Sequence, residues 1–216
     1  METLFVPKIQ AESLAAEKIA GLLDEYRVEW QAIGCANWED QYPYKPDVRF
    51  RMAHTDGAIL LEYEVSEACV RALAQDNGRV WEDACCECFV QMDEGDAYYN
   101  IECNCAGRIL VGAGADRHHR TRASQAVLDR IDRYSSLGSS PFDERPCNSP
   151  WRLALLIPVS TFFLHKISGL GGRSLRANFY KCGDLLSKPH FLSWQPITLP
   201  KPDFHQPSFF GLLKME

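Results

Sequence analysis

Runs of residues that alternate between apolar and polar side chains recur along this chain, and they constrain its fold more than any other feature. In 58–65 (AILLEYEV), Ile59, Leu61, Tyr63 and Val65 occupy every second position, which is the period of a half-buried β-strand. Similar runs occupy 79–91, 98–105, 151–157, 174–182 and 190–195. Strands that follow one another without helices between them form antiparallel sheets. We therefore expect an all-β protein, an antiparallel β-sandwich of the jelly-roll type with a few peripheral helices.

Two segments have the apolar spacing of a helix instead. Residues 11–27 and 121–137 each place apolar side chains three and four positions apart, as on one side of an amphipathic helix. The arginines of 117–133 are then interpreted as the solvated face of the second helix. No internal repeat divides the chain, and we expect an N-terminal helix and extension over 1–44 that packs on a sandwich formed by 45–216.

Composition and charge exclude several classes of protein. The chain has 216 residues, of which 46% are hydrophobic, and a formal net charge of −6. This is the composition of a globular protein, whereas a nucleic-acid-binding protein normally carries a basic excess. No stretch approaches the roughly 20 apolar residues of a membrane span. We expect neither nucleic acid nor a membrane among the partners, and the sequence does not indicate an oligomeric state.

The nine cysteines bear on the cellular compartment. Residues 1–10 lack the basic start and apolar centre of a signal peptide, and an odd number of cysteines does not pair completely. Free thiols in a reducing cytoplasm are therefore the expectation. An exported protein whose signal peptide has been removed is the alternative.

Strand alternation sorts the side chains of 79–91 and 98–105, which we expect to pair across the acidic turn at 92–97. Tyr99, Ile101 and Cys103 share a face that is typical of a core. The opposite face carries a row of polar side chains interspersed with aromatic rings: Trp81, Glu87, Phe89, Tyr98, Asn100, Glu102 and Asn104. Such a surface suits a neutral polyol, because hydroxyls need both donors and acceptors and sugar rings pack on aromatics. An ordinary solvated sheet face is the alternative.

Three other chemistries remain open. The pairs Cys86/Cys88 and Cys103/Cys105 could supply four thiolates to zinc, although thiols at this spacing on a strand more often act as small buried hydrophobes. Glu87 and Glu102, on facing strands, could hydrolyse a glycoside if their carboxyl groups lay about 5–10 Å apart. The acids of 93–96 could ligate Ca²⁺, although acidic hairpin tips are common without an ion.

Five segments together resemble a known family. They are VWEDACCECFV, YYNIECNCAG, LRANFYKCGD, HFLSWQPI and PDFHQPSFFG, and the chain resembles the stand-alone bacterial proteins related to the family 9 carbohydrate-binding modules of xylanases. The resemblance covers roughly 45–216 and implies an antiparallel β-sandwich. It also implies non-catalytic binding of a glucose- or xylose-type saccharide, such as the reducing end of a cellulose or xylan chain, and structural Ca²⁺ whose ligands the sequence does not identify.

The resemblance also implies a set of binding residues. The family clamps its sugar between two tryptophan rings, which correspond here to Trp81 and Trp194, and bonds the hydroxyls through polar side chains, which correspond to Glu87, Asn100, Glu102 and Asn104. A glycoside hydrolase, or an associated factor of carbohydrate catabolism, that uses Glu87 and Glu102 is the alternative function.

Overall fold

The computed structural model describes residues 2–11 and 13–216 and shows two β-sheets packed face to face. The strands are β1 (Thr3–Val6), β2 (Gln31–Ala32), β3 (Asp47–His54), β4 (Ala58–Ser66), β5 (Cys69–Ala72), β6 (Cys85–Gln91), β7 (Tyr98–Asn104), β8 (Ile109–Gly114), β9 (Thr121–Arg122), β10 (Asp132–Ser135), β11 (Phe142–Pro146), β12 (Trp151–Pro158), β13 (Ser174–Cys182), β14 (Phe191–Ser193) and β15 (Gly211–Met215). The α-helices are α1 (Ile19–Glu25) and α2 (Gln125–Leu128), and short 3₁₀ turns occupy Ala16–Lys18, Val80–Glu82, Val159–Thr161 and Pro207–Phe209.

The larger sheet has eight strands in the order β1-β15-β13-β6-β7-β8-β9, with β14 also paired to β13. The smaller sheet has five strands in the order β10-β12-β4-β3-β2, and β11 pairs with β5 separately. The edge pair β1–β15 is parallel, and the other pairings between these strands are antiparallel. The expected all-β sandwich is therefore confirmed. Within 1–44, β1 and β2 each add a strand to one of the two sheets.

The main core lies between the sheets, where alternation directs the apolar side chains of both. Phe50 of the smaller sheet stacks on Phe179 of the larger sheet with ring centroids 3.8 Å apart. The Tyr63 hydroxyl crosses the core to donate to the Glu87 carbonyl oxygen at 2.9 Å. Because the inner faces are filled in this way, the outward side chains of the larger sheet remain for other contacts.

A buried ion pair also joins the sheets. Lys181 Nζ lies 3.0 Å from Glu67 Oε2, and both side chains are fully buried. The other Glu67 oxygen accepts a hydrogen bond from Trp151 Nε1 at 2.9 Å, and Lys181 Nζ lies 2.8 Å from His190 Nε2. Burial and the neighbouring Lys181 charge lower the pKa of His190 to about 2, so this ring is neutral.

The structure corrects three local expectations. Residues 79–84 are not strand, because the 3₁₀ turn Val80–Glu82 precedes β6. The helix expected over 121–137 is limited to α2, because the residues before it form β9, which pairs with β8, and residues after it form β10, which pairs with β12. Strand pairing overrides helical spacing here. The helix expected over 11–27 begins with the 3₁₀ turn at Ala16 and continues as α1.

The first helix covers the outer face of the smaller sheet. Ile19 and Leu23 of α1 are buried against Ala53, Leu60 and Ala154 of that sheet. Glu12, which falls within the expected helix, and Met1 lie outside the described residues. Across the described residues, neither helix has the length and apolar composition needed to cross a membrane.

Candidate functional site

A cavity of about 530 Å³ opens on the outer face of the larger sheet. Its floor is made by β6, β7, β8 and β13, and its walls by the segments 79–82, 115–120 and 202–205. The side chains and backbone that line it are those of Arg79, Trp81, Glu87, Phe89, Asn100, Glu102, Leu110, Gly112, Arg117, His118, Arg120, Arg122, Cys182, Asp184, Phe191, Pro202, Asp203, Phe204 and His205. Polar groups at the floor and aromatic rings at the walls therefore face one space.

The register of β6 and β7 places the polar floor. Glu87 is the direct partner of Glu102, and Phe89 is the direct partner of Asn100. The hairpin pairing expected from the sequence is confirmed, including the shared face of these side chains. Gly112 of β8 is the partner of Asn100, and a Cβ at Gly112 would lie 2.6 Å from Asn100 Oδ1. The absence of a side chain at this position leaves room for the Asn100 amide.

The two glutamates are deeply desolvated. Glu87 is 3% exposed and Glu102 is 4% exposed. Burial raises the pKa of both carboxyl groups, and their mutual repulsion raises that of Glu87 further. Cys182 Sγ donates to Glu87 Oε1 at 3.1 Å, and Asn100 Nδ2 donates to Glu102 Oε1 at 2.7 Å. Among residues 2–11 and 13–216, Glu102 Oε2 has no hydrogen-bond partner.

Arg120 fixes the orientation of Asn100. Its Nε and Nη2 atoms donate to Asn100 Oδ1 at 2.9 and 2.7 Å. Nη2 also donates to the Tyr98 carbonyl at 2.9 Å, and the guanidinium lies over the Tyr98 ring, 4.2 Å from its centroid. The Asn100 oxygen is therefore committed to Arg120, and its NH₂ group is directed to Glu102.

Aromatic side chains form the walls. Trp81 is half-buried beside Cys85, Leu110 and Cys182. On another wall, Phe204 stacks on Tyr180 with centroids 4.1 Å apart and planes 8° from parallel. The Tyr180 hydroxyl also donates to the Phe204 carbonyl at 3.1 Å. These contacts hold Phe204 in place at the edge of the floor.

Charged groups surround the mouth. Arg117 Nη1 binds Asp203 Oδ1 at 3.1 Å and so connects two walls. Burial raises the pKa of Asp184 to about 6. Burial, helped by the charges of Arg120 and Arg117, lowers the pKa of His205 to about 4. His205 is therefore neutral at pH 7, with Nδ1 2.8 Å from the Tyr98 hydroxyl.

Four of the six side chains identified from the sequence meet in this cavity: Trp81, Glu87, Asn100 and Glu102. Their roles in binding remain predictions. Asn104 does not line the cavity and is fully buried. Its Nδ2 donates to Asp83 Oδ2 at 2.8 Å, and its Oδ1 accepts from the backbone N–H groups of Ala106 and Arg108. Its amide is used to close the β7–β8 turn.

Trp194 lies on the wrong side of the sheet for the expected clamp. It is 5% exposed and belongs to the core between the sheets, with its ring 5.9 Å from that of Phe50 and 5.7 Å from that of Phe179. The phenylalanine rings that accompany Trp81 at the cavity are instead those of Phe89, Phe191 and Phe204. Alternation within a strand could not locate a residue that follows the end of β14.

Sequence reasoning missed Arg120, Cys182, Phe204 and His205. Arg120 precedes β9 in a segment interpreted as helix, and no local pattern distinguishes it from its neighbours. Cys182 falls in a correctly predicted strand, but only the β13–β6 pairing shows that it faces Cys85. Phe204 and His205 lie in an irregular segment that alternation does not describe.

Both groups of metal-ligand candidates named from the sequence have other partners in the structure. Cys86, Cys88, Cys103 and Cys105 pack in the apolar core between the sheets, and across the described part of the chain they do not belong to a convergent group of three ligands. At the acidic tip, Arg173 is bound to Asp93 and lies 3.8 Å from Glu94, so its guanidinium neutralises part of the charge that would attract Ca²⁺.

An antiparallel β-sandwich with an aromatic and hydrogen-bonding cavity on the outer face of one sheet defines a β-sandwich binding module. Comparison with family models then identifies the family: carbohydrate-binding family 9 matches residues 17–215, and the chain belongs to it. A search of curated proteins found no match.

Solved structures agree with this assignment. One, from Bacteroides uniformis, is described as a proposed carbohydrate-binding protein. It is 52% identical to this chain, and the match covers 100% of this chain and 99% of the other, with a TM-score of 0.97. A family 9 module from Caldicellulosiruptor kristjanssonii in complex with cellotriose is 14% identical, with a TM-score of 0.59 over 100% of this chain and 94% of its own. A family 9 module from the same organism in complex with glucose is 14% identical, with a TM-score of 0.56, and the match covers 100% of this chain and 96% of the module. The last two show a shared fold.

Proposed function

We propose that this protein binds a saccharide, without cleaving it, in the cavity on the outer face of the larger sheet. The observation that carries the proposal is Glu102, a buried carboxyl group with an oxygen that has no partner among the described residues. It lines the same cavity as the half-buried Trp81 ring. A ligand that offers both a hydroxyl group and an apolar ring face would satisfy both groups.

The chemistry of the floor supports a neutral sugar. Burial raises the pKa of Glu102 to about 7, so this carboxyl group can donate as well as accept a hydrogen bond near neutral pH, and hydroxyl groups do the same. Burial and repulsion from Glu102 also raise the pKa of Glu87. Asn100 is held by Arg120 in one orientation, so its contacts are pre-organised. The cavity volume of about 530 Å³ falls within the range of about 300–1,000 Å³ of small-ligand sites.

The class of sugar is inferred from the relatives. Family 9 structures in complex with glucose and with cellotriose support a glucose-type ligand, and a xylose-type ligand with the same ring faces belongs to the same proposal. In place of the expected second tryptophan, Phe204 and Phe191 supply further apolar surface.

Isothermal titration with glucose, cellobiose and xylobiose tests this proposal. We expect binding of at least one sugar and its loss in Trp81→Ala. The matched control is Trp30→Ala, which removes a half-buried ring that packs on Arg49 and Arg51 of the smaller sheet, far from the cavity. Absence of heat with all three sugars at millimolar concentration, or equal affinity in the two variants, would contradict the proposal.

Glycoside hydrolysis is the second candidate, and the pairing of Glu87 with Glu102 favours it. Directly paired residues have Cβ atoms about 4.5–5.5 Å apart, close to the carboxyl separation of about 5–5.5 Å in retaining glycosidases. Both side chains rise from one floor, however, and a hydrolytic pair must flank the bond it cleaves. Release of reducing sugar by the native protein that is abolished in Glu87→Gln would establish hydrolysis.

A further inference from the structure

Two cysteines face each other at the floor of the cavity. Cys85 of β6 and Cys182 of β13 are register partners on neighbouring strands, and both side chains are buried on the outward face. Glu87 follows two positions after Cys85 and so projects from the same face. The two sulfur atoms and a Glu87 carboxylate oxygen all lie within 4.8 Å of one another.

This arrangement has the donor atoms of a zinc site. Zinc binds thiolate sulfur at about 2.3 Å and carboxylate oxygen at about 2.0–2.2 Å, in tetrahedral geometry. Ligands at those distances are about 3.3–3.8 Å from one another, and Cys182 Sγ already lies 3.1 Å from Glu87 Oε1. Small side-chain rotations would bring the three atoms around one ion.

The fourth position would face the cavity. Glu87 and Cys182 both line it, so an ion bound between them is reached from that side, and a water molecule can complete its coordination. The neighbouring Glu102 Oε2, which has no partner among residues 2–11 and 13–216, is available to accept a hydrogen bond from that water. Three protein ligands and one open position are the pattern of zinc sites that exchange a ligand.

We propose that Cys85, Cys182 and Glu87 form a site for a thiophilic divalent cation, with Zn²⁺ as the expected ion. Two thiolates select zinc over Ca²⁺ and Mg²⁺, which prefer oxygen ligands. Binding replaces the two thiol protons and any carboxyl proton by the metal, and these protons pass to solvent. The site is separate from the Cys86, Cys88, Cys103 and Cys105 thiols, which lie on the core side of the sheet. The two cysteines make no proposed saccharide contact, whereas Glu87 belongs both to this metal site and to the proposed saccharide site.

Cobalt(II) is the probe, because thiolate ligation gives it an intense charge-transfer absorption. We titrate the reduced full-length protein, without sugar, with Co²⁺ and then displace the cobalt with Zn²⁺. The expected result is one cobalt per chain with a thiolate band that zinc removes. Cys85→Ser and Cys182→Ser should each weaken Co²⁺ binding at least tenfold and reduce the band. Cys88→Ala, on the same strand but in the core, is the matched control and should leave both unchanged.

Glu87→Gln keeps both thiols and provides a second test if a serine variant does not fold. It should retain a thiolate band but bind Co²⁺ at least tenfold more weakly than the native protein. A native protein that gives no thiolate band would overturn the proposal. A band that persists unchanged in Cys182→Ser would also overturn it, since the thiolates would then be the half-exposed Cys35, Cys69 or Cys147.

Discussion

Replacing Trp194 by alanine tests whether this tryptophan packs in the core or binds the ligand. The Trp194 ring is 5% exposed and lies edge-on to Phe50 and Phe179. A Cβ at Gly211 would lie 2.6 Å from the Trp194 ring atom Cζ3, so the backbone at the start of β15 approaches the ring closely. Its removal would leave a cavity that this packing cannot readily close.

The cost follows from the buried area. A tryptophan buries about 150–250 Å², which at about 25 cal/mol per Å² corresponds to about 4–6 kcal/mol. Because alanine retains part of this burial, we expect a loss of about 3–5 kcal/mol in the free energy of unfolding, the range for buried Phe or Trp to Ala. For a chain of this length, each kcal/mol lowers Tm by about 2–4 °C.

Trp81→Ala is the matched comparison, because it removes the same side chain from the cavity wall, where the ring is only half-buried. Urea unfolding followed by circular dichroism gives the stability, and isothermal titration gives the sugar affinity. We expect Trp194→Ala to lose stability and keep its sugar affinity while folded. We expect Trp81→Ala to lose sugar affinity and keep its stability. A Trp194→Ala protein of native stability that no longer binds sugar would refute the assignment of this ring to the core.

Three further changes test the network around the site. Arg120→Gln frees the Asn100 carbonyl oxygen, and we expect sugar affinity to fall about tenfold, or about 1.4 kcal/mol, by isothermal titration. Burial lowers the pKa of His205 to about 4 in the folded protein, whereas a histidine in the unfolded chain has a pKa of about 6.5. As the pH falls below about 6.5, the unfolded chain therefore takes up a proton at this residue before the folded protein does. His205 should therefore contribute stability that is complete above that pH and declines by up to about 3 kcal/mol toward pH 4. In urea unfolding, the free energy of unfolding of His205→Gln should fall less between pH 7 and pH 4.5 than that of the native protein. Glu67→Gln leaves the buried Lys181 ammonium without its carboxylate, and the free energy of unfolding should fall by about 3–5 kcal/mol.

Each of these predictions has a result that would contradict it. Arg122→Gln removes another arginine of the cavity that does not bond Asn100, so equal affinity losses in Arg120→Gln and Arg122→Gln would point to charge rather than positioning. Parallel pH profiles in the native protein and His205→Gln would show that this ring titrates normally. A loss below about 1 kcal/mol in Glu67→Gln would show that the buried pair contributes little.

The floor of the cavity was predictable because it depends on strand alternation alone. Glu87, Asn100 and Glu102 lie on one face of a hairpin whose two strands are close in sequence, and the turn between them sets the register. The walls depend on long-range packing. Phe204 reaches the cavity by stacking on Tyr180, a contact that no local pattern encodes.

The incorrect expectations have a common physical origin. Asn104 has the correct parity, but it occupies the last position of β7, where the chain turns and the backbone N–H groups of the turn need acceptors. The segment 121–137 has helical spacing, but Asp132–Ser135 satisfies its backbone by pairing with β12. In both cases the hydrogen-bonding needs of backbone groups decide the structure, at a turn for Asn104 and along a strand pairing for Asp132–Ser135. The periodicity of side chains carries no information about these backbone bonds.

The same physics explains why a sheet this well packed carries a polar cavity. An acceptor buried without a partner costs about 1–3 kcal/mol, and the Glu102 oxygen has none among the described residues. Two adjacent buried carboxyl groups add a further cost, since burial raises the pKa of both and repulsion from Glu102 raises that of Glu87 further. A floor selected for stability alone would carry apolar side chains, as the opposite face of the same strands does with Cys88 and Ile101. The contrast between the polar and apolar faces of one hairpin supports the proposal that a ligand completes the outer face.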